Sequence, residues 1–297
     1  MTHQQGGTWL YYKLMTGVYY WAFDHLILSL SPIVQDARVR QWFFIRYLDE
    51  DGPHLRLRLC VESASANAFD REVYAKLHEL VTRLPRLPVE EVSRLVTIPL
   101  PDFDKSKLAF GVKRVEYKPE TDIYGNEEGV AVAEHLFQAS SEMAMEVIAA
   151  ERQGEVSRKE LAPALMNAAL DEFPISKPPS EFLVNYMNYW ASGIPSSGSS
   201  IVTFENKCRE LMASGTPIVR RDDEYGSMLA GQLDKWRKSL RETQAAYKRI
   251  NGYSEALAEQ VLFYFIHLMN NRLGFAALDE TYLAMLVNGW KGSRKTA

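Results

Sequence analysis

Residues 54–60 read His-Leu-Arg-Leu-Arg-Leu-Cys, an alternation of polar and apolar side chains. Successive side chains of a β-strand point to opposite faces, so this spacing predicts a strand whose leucines pack on a hydrophobic core. The opposite face then presents His54, Arg56 and Arg58 in a row. Buried guanidinium groups need carboxylates of the protein or an anionic ligand, and the pattern alone leaves both interpretations open.

The segments around this strand predict an α+β fold. Residue spacing predicts three further strands, at residues 8–15, 41–48 and 111–118. It also predicts two helices, at residues 18–31 and 67–84. The order β-α-β-β-α-β indicates a ferredoxin-like sandwich, with helices on one face of an antiparallel sheet. We expect a hairpin of 41–48 with 54–60 to bring Arg46 close to the other two guanidinium groups. A long loop is expected over residues 85–110.

The remainder of the sequence predicts helices. Segments with apolar residues at helical spacing cover residues 127–151, 156–172, 179–192, 202–214, 224–249 and 254–274. A flexible break is expected at 193–200, and Ser254 and Gly274 are suited to begin and end the last helix. We therefore predict a single domain over residues 1–297, with an α+β sandwich at 1–125 and a mainly helical part at 126–297.

The composition excludes several classes of protein. A net charge of −4 argues against bulk binding of nucleic acid, although a local cationic pocket stays compatible with it. Cys60 and Cys208 lie far apart and the six histidines are scattered, so we expect no disulfide framework, no metal and no cofactor. No stretch has the composition of a secretion signal or a membrane span, which predicts a cytoplasmic protein with no membrane partner.

Two further segments carry candidate functional residues. Tyr264, His267 and Asn271 share one face of the last predicted helix, where a histidine can serve as general acid or base near neutral pH. Glu120 and Asp122 lie in a turn after the predicted strand 111–118, where a carboxylate can orient an arginine or histidine. A core histidine and an ordinary turn are the alternative interpretations.

Five segments together match one known pattern. They read Trp-Leu-Tyr-Tyr-Lys-Leu at 9–14, Trp-Phe-Phe-Ile-Arg-Tyr-Leu-Asp-Glu-Asp-Gly-Pro-His-Leu-Arg-Leu-Arg at 42–58, Tyr-Lys-Pro-Glu-Thr-Asp-Ile-Tyr-Gly at 117–125, Ala-Glu-His-Leu-Phe-Gln-Ala-Ser-Ser at 133–141, and His-Leu-Met-Asn-Asn-Arg-Leu-Gly at 267–274. Over nearly its whole length the chain resembles the glutamate-elimination domain of LanB-type lantibiotic dehydratases and the stand-alone thiopeptide-type bacteriocin biosynthesis proteins.

The resemblance implies a reaction on a ribosomally made precursor peptide. A glutamylating domain or protein transfers glutamate from glutamyl-tRNA to Ser or Thr, and the elimination domain removes the glutamate to leave dehydroalanine or dehydrobutyrine. The implied catalytic residues are His267, Arg56 and Arg58. The implied substrate-binding residues are Arg46, His54, Glu120, Tyr124, Asn271 and Arg272.

The resemblance also implies partners. They are the leader and core of the precursor peptide and a separate glutamylating protein, since 297 residues leave no room for that domain. No direct binding of tRNA is expected, and a second copy of the chain is a candidate partner.

The sequence departs from the lantibiotic enzymes at three places. Ile123 stands where they carry an arginine, Asn126 where they carry a second glycine, and Ser140-Ser141 where they carry Asp-Ser. The missing arginine fits the thiopeptide-type members better.

Two other functions stay open. The same fold hosts pyridine synthases, which join two dehydroalanines in a formal 4+2 cycloaddition and release the leader peptide. Retention of Arg56, Arg58 and His267 favours elimination, whereas Ile123 favours cycloaddition. The third interpretation is a non-catalytic partner that binds peptide at a strand edge.

Overall fold

The computed structural model describes residues 7–88, 108–192, 197–215, 218–219 and 225–293, which fall into two compact units. The described residues up to Pro119 form unit 1, and those from Glu120 onward form unit 2. This boundary lies close to the one predicted at residues 125/126. The prediction of a single functional domain over residues 1–297 stays a prediction.

Unit 1 is built on an antiparallel sheet of four strands in the order β2-β3-β1-β4. The strands are β1 (Gly7–Thr16), β2 (Val39–Asp49), β3 (Gly52–Glu62) and β4 (Phe110–Val115). The predicted hairpin of β2 and β3 is confirmed, and its turn needs a glycine because Gly52 has a φ of +90°. The predicted fourth strand is confirmed as well, but it ends at Val115.

The helices of unit 1 are α1 (Phe23–Ser29), α2 (Ser31–Val34) and α3 (Ala66–Arg83). The helix predicted at residues 18–31 is confirmed in part, because α1 covers only Phe23–Ser29 of that range. The chain forms a short 3₁₀ turn at Tyr20–Ala22 and then two helices, because Pro32 lacks the N–H that continues a helix and sits in the first turn of a new one. The helix predicted at 67–84 is confirmed. Most of the loop predicted at 85–110 lies outside the described residues.

The leucines of β3 form the centre of the unit 1 core. Leu55, Leu57 and Leu59 are fully buried, as the alternation predicts. Tyr12 pairs with Leu57 across the sheet and donates a hydrogen bond of 2.7 Å from its hydroxyl to Asp70 of α3. This face of the sheet therefore packs on the helices, and the residues that alternate with the leucines lie on the other face.

Unit 2 is helical in all the regular structure that its described residues form. The helices are α4 (Thr121–Tyr124), α5 (Glu127–Arg152), α6 (Arg158–Glu172), α7 (Pro179–Ser192), α8 (Ser197–Ala213), α9 (Ser227–Tyr247), α10 (Glu255–Leu273) and α11 (Ala277–Ser293). The six predicted helices are confirmed within a few residues at each end. The helices of the described ranges include none that is both long and apolar enough to cross a membrane.

Two predictions for unit 2 fail. The break expected at 193–200 does not extend to its end, because α8 already begins at Ser197; residues 193–196 lie outside the described ranges. Helix α11 was not predicted at all, although Leu278, Tyr282 and Leu286 are buried on one face at helical spacing. Gly274 ends α10, and the next helix begins only three residues later, at Ala277.

Both predicted ends of α10 are confirmed. The Ser254 hydroxyl accepts a hydrogen bond of 3.1 Å from the backbone N–H of Leu257, and Gly274 adopts a left-handed conformation with a φ of +93°. The guanidinium of buried Arg158 donates a hydrogen bond of 2.8 Å to the carbonyl of Leu273. The helix that carries His267 is therefore fixed at both ends.

We expect Leu57→Ala to lower the free energy of unfolding by about 2–5 kcal/mol, because it leaves a cavity in the unit 1 core. Leu48→Ala is the matched control, since Leu48 is 50% exposed. Urea unfolding followed by circular dichroism measures both variants. Equal effects of the two substitutions would contradict the assignment of the leucine face to the core.

Candidate functional site

The polar face of β3 continues across the neighbouring strands of unit 1. Arg56 lies opposite Lys13 of β1, and Lys13 in turn lies opposite Lys113 of β4. His54 lies opposite Tyr47 of β2. Sequence reasoning missed both lysines, because strand register decides which side chains become neighbours and the alternation within one strand does not reveal it.

Arg56 is held in place by its neighbours on this face. Its guanidinium carbon lies 3.2 Å from the centre of the Tyr47 ring, and its Nε donates a hydrogen bond of 3.2 Å to Nε2 of His54. Nη2 is 3.5 Å from a carboxylate oxygen of Asp49. The arginine side chain keeps 18% of its surface exposed, so it is anchored and still reachable from solvent.

The tautomer of His54 follows from these contacts. The side chain is fully buried, and its Nδ1 lies 2.9 Å from the carbonyl of Gly52, to which it can only donate. Nε2 is then the acceptor for Arg56. Burial lowers the pKa of His54 below its usual value, even though the contact with Gly52 and the charge of Asp49 act in the opposite direction.

Two carboxylates balance part of the positive charge. Lys13 Nζ lies 2.9 Å from Asp49 and 3.2 Å from Asp51, and Lys113 Nζ lies 3.7 Å from Asp51. Burial alone would raise the pKa of Asp49, but the hydrogen bond from Lys13 and the surrounding contacts hold it below its usual value. Around Arg56, in the described part of unit 1, three cations share two carboxylates. An anionic ligand would be attracted here but would compete with Asp49.

Arg58 has a different environment on the same face. It is 6% exposed, and its guanidinium carbon lies 4.6 Å from the ring centre of Tyr11, 5.2 Å from that of Phe43 and 5.6 Å from that of Tyr117. Aromatic faces attract a guanidinium and restrict its rotation. The three rings therefore fix the position of this charge.

Arg46 does not join this group, and the prediction of a third adjacent guanidinium is wrong. The register of β2 and β3 places Arg46 opposite Leu55, which puts it on the helix-covered face of the sheet. Its Nη2 lies 2.6 Å from Asp24 of α1. A hairpin pairs residues directly across from each other, and in this register Arg46 falls on the face of the leucines.

In unit 2, His267 contacts a buried carboxylate that sequence reasoning missed. Its Nδ1 lies 2.9 Å from Oε1 of Glu280, which is 1% exposed. The Tyr186 hydroxyl and the Asn270 amide, the latter at 3.4 Å, both reach Oε2 of the same carboxylate. Burial raises the pKa of Tyr186 well above its usual value and the charge of Glu280 raises it further, so the hydroxyl keeps its proton.

Aromatic rings cover one side of His267. The Trp190 ring stacks on the imidazole, with 4.3 Å between ring centres and 25° between planes, and Phe263 stacks on Trp190 at 5.9 Å. The histidine side chain nevertheless keeps 22% of its surface exposed. The aromatic residues of 179–192 were a sequence signal for the stacked rings, whereas Asp279-Glu280 is one of several Asp-Glu pairs in the sequence and did not indicate the carboxylate.

Two other predicted site residues lie in the core of unit 2. Tyr124 is 2% exposed and packs on Phe137 and Phe265, with ring centres 5.1 and 6.2 Å away. Arg272 is 1% exposed, and its Nε donates a hydrogen bond of 3.0 Å to the Ser141 hydroxyl. These positions give both side chains structural contacts and do not support the predicted contact with substrate.

The remaining candidates, Glu120 and Asn271, are at least partly exposed. Glu120 is exposed and directly precedes α4, whereas Asn271 is half-buried on α10, one turn beyond His267. Asn126, which replaces a glycine of the lantibiotic enzymes, caps α5: its Oδ1 accepts a hydrogen bond of 2.9 Å from the N–H of Gly129.

The predicted residues thus fall into two sets. Arg46, His54, Arg56 and Arg58 belong to unit 1, and Glu120, Tyr124, His267, Asn271 and Arg272 belong to unit 2. Their assignment to one reaction stays a prediction. The described residues contain no group of three His, Cys, Asp or Glu side chains arranged to hold a metal ion.

A family model identifies the family of this chain. The family model described as lantibiotic biosynthesis dehydratase C-term matches residues 9–289. No curated protein matches the sequence.

Solved structures share the fold. The tRNA-dependent lantibiotic dehydratase MibB from Microbispora sp. 107891 matches with a TM-score of 0.63 and 20% identity, over 100% of this chain and 29% of MibB. The pyridine synthase TbtD from thiomuracin biosynthesis matches with a TM-score of 0.67 and 15% identity, over 96% of this chain and 98% of TbtD. TsrL matches with a TM-score of 0.58 and 15% identity, over 98% of this chain and 95% of TsrL.

The buried neutral His54 makes stability depend on pH. Its pKa is lower in the folded chain than the value of about 6.5 in the unfolded chain. Neutral His54 therefore contributes fully to the free energy of unfolding above about pH 6.5. This contribution is lost as the pH falls from there through the folded-state pKa. We expect the melting temperature to drop less between pH 7.5 and 5.5 or thereabouts in His54→Asn than in the wild type. Parallel curves for the two proteins would contradict the buried neutral state.

Proposed function

The chain belongs to the lantibiotic dehydratase C-terminal family, and from this we propose that it eliminates glutamate from glutamylated Ser or Thr of a precursor peptide. Dehydroalanine or dehydrobutyrine would remain in the peptide. The chain spans 29% of the length of MibB. A separate glutamylating protein as the source of the glutamyl ester is part of the proposal. The strand order β2-β3-β1-β4 supports a ferredoxin-like arrangement as the scaffold.

The proposed reaction needs a base for the α proton of the esterified residue. His267 takes this proton, the C–H electron pair becomes the double bond between Cα and Cβ, and the Cβ–O bond breaks. Glutamate departs as a carboxylate. Elimination therefore requires one proton acceptor near neutral pH and positive charge for a departing anion.

The observation that carries the proposal is the environment of His267. A partly exposed imidazole in contact with a buried carboxylate is suited to accept a proton, because the carboxylate stabilises the imidazolium that forms.

The cations of unit 1 provide positive charge for the departing carboxylate. We assign the departing carboxylate to Arg56 and Arg58, with Lys13 and Lys113 as further positive charges on the same face. Arginine is suited to this role because its planar fork matches a carboxylate. Asp49 lies 3.5 Å from Nη2 of Arg56, so the substrate anion would compete with this carboxylate for the guanidinium.

Cycloaddition of two dehydroalanines is the alternative function. Ile123 in place of the glutamate-contacting arginine favours it, and so does the match over 98% of the length of the pyridine synthase TbtD. A non-catalytic peptide-binding partner is the third proposal, for which the edge strands β2 and β4 offer backbone groups.

We expect the purified chain to convert a glutamylated Ser-containing precursor peptide into the dehydroalanine peptide, with loss of glutamate detected by mass spectrometry. His267→Ala should slow this at least 10²-fold or so, because the general base is removed. His135→Ala is the matched control, since His135 is exposed on α5.

Other outcomes of this assay identify the alternatives. Cyclisation of a peptide that already contains dehydroalanines, with leader release and an intact glutamyl ester in the first assay, would establish cycloaddition. Peptide binding without either product would leave only the binding partner. A wild-type rate in His267→Ala would remove the histidine from the mechanism.

The role of the cations is tested by Arg56→Ala. We expect elimination to slow by about tenfold or more, since loss of a hydrogen bond to a charged group costs about 1.5–3 kcal/mol. Arg40→Ala is the control, because Arg40 is exposed near the other end of the hairpin and pairs with Glu62. If both variants eliminate glutamate at the wild-type rate, Arg56 has only a structural role.

A further inference from the structure

We propose that Glu280 is the positioning residue of His267 and that it makes Nε2 the nitrogen that accepts the substrate proton. This inference rests on the proposed function only in naming His267 as the base. Neither Glu280 nor α11 was identified from the sequence. Glu280, His267 and the residues that contact them all belong to unit 2.

The contacts of Glu280 determine which nitrogen of His267 carries a proton. A carboxylate that is ionised only accepts hydrogen bonds. Glu280 is reached by the Tyr186 hydroxyl, the Asn270 amide and Nδ1 of His267, and all three groups can donate to it. Nδ1 therefore bears the proton of the neutral imidazole, and Nε2 carries the free electron pair.

Glu280 lies at the N-terminal end of α11, which attracts negative charge. The residue lies in the first turn of this helix, where the unpaired backbone N–H groups create a positive potential. The carboxylate is 1% exposed, so the donors around it replace water. A buried negative charge beside Nδ1 stabilises the imidazolium that forms when Nε2 takes up a proton.

The imidazole cannot easily exchange its two nitrogens. Trp190 covers one face of the ring at 4.3 Å between ring centres, and the contact to Glu280 at 2.9 Å holds one edge. A 180° flip about the Cβ–Cγ bond would keep the ring stacked on Trp190 but would put Cδ2 where Nδ1 now lies, so the buried carboxylate would lose a donor. Three helices thus fix one functional orientation: α7 supplies Trp190 and Tyr186, α10 supplies His267, and α11 supplies Glu280.

The first test measures the tautomer directly, without substrate. Nitrogen-15 NMR of the histidine rings at a pH where His267 is neutral distinguishes the two tautomers, and His267→Gln identifies the signal among the six histidines. We expect the proton of the wild-type ring on Nδ1. A proton on Nε2 would overturn the proposal. This measurement needs no variant of Glu280 to fold.

The second test measures what Glu280 does for turnover. We expect Glu280→Gln to lower kcat by roughly 10²- to 10⁴-fold with little change in KM, because the amide lacks the charge that stabilises the imidazolium and does not touch the peptide. Tyr186→Phe should cause a smaller loss of kcat, since one donor to the carboxylate disappears. Glu259→Gln is the control, as Glu259 pairs with Lys177 and does not contact His267.

The outcomes separate this inference from the proposed function. A folded Glu280→Gln variant with wild-type kcat would overturn the positioning role, even if the wild type eliminates glutamate. Absence of elimination in the wild type would contradict the proposed function. In that case the tautomer measurement still decides whether Glu280 orients His267.

Discussion

Charges taken out of water constrain how this chain packs. Arg58 lies among three aromatic rings, and buried Arg158 joins Glu151 to the carbonyl that ends α10. Glu280 is the most consequential case, because a carboxylate at 1% exposure needs its donors on neighbouring helices. The packing of α7, α10 and α11 therefore determines the position of His267.

The sequence could predict the elements whose signal is local. Alternation in residues 54–60 identified the buried leucine face, and the caps Ser254 and Gly274 gave the ends of α10. It could not predict which side chains lie together across strands or helices. Arg46 illustrates this, since a register that pairs it with Leu55 places it away from Arg56. Pairing of strands and docking of helices are properties of tertiary structure.

The same limit explains which site residues were missed. Lys13 and Glu280 each become neighbours of a predicted residue only through packing, at a strand pair and at a helix contact respectively. Conversely, Tyr124 and Arg272 matched family motifs and were predicted to bind substrate, yet both are buried among structural partners. Their contact with substrate stays a prediction, because burial alone does not separate a structural role from a functional one: Arg58, at 6% exposure, is buried as well.

Membership of the dehydratase C-terminal family leaves the choice between elimination and cycloaddition to individual residues. The proposed function depends on removal of the α proton of a glutamylated residue by His267. It is tested most directly by the rate of dehydroalanine formation from a glutamylated peptide that carries deuterium at the serine α carbon. We expect a slower rate than with hydrogen in the wild type and negligible product in His267→Ala. An intact glutamyl ester in the wild type, or equal rates in the two proteins, would contradict it.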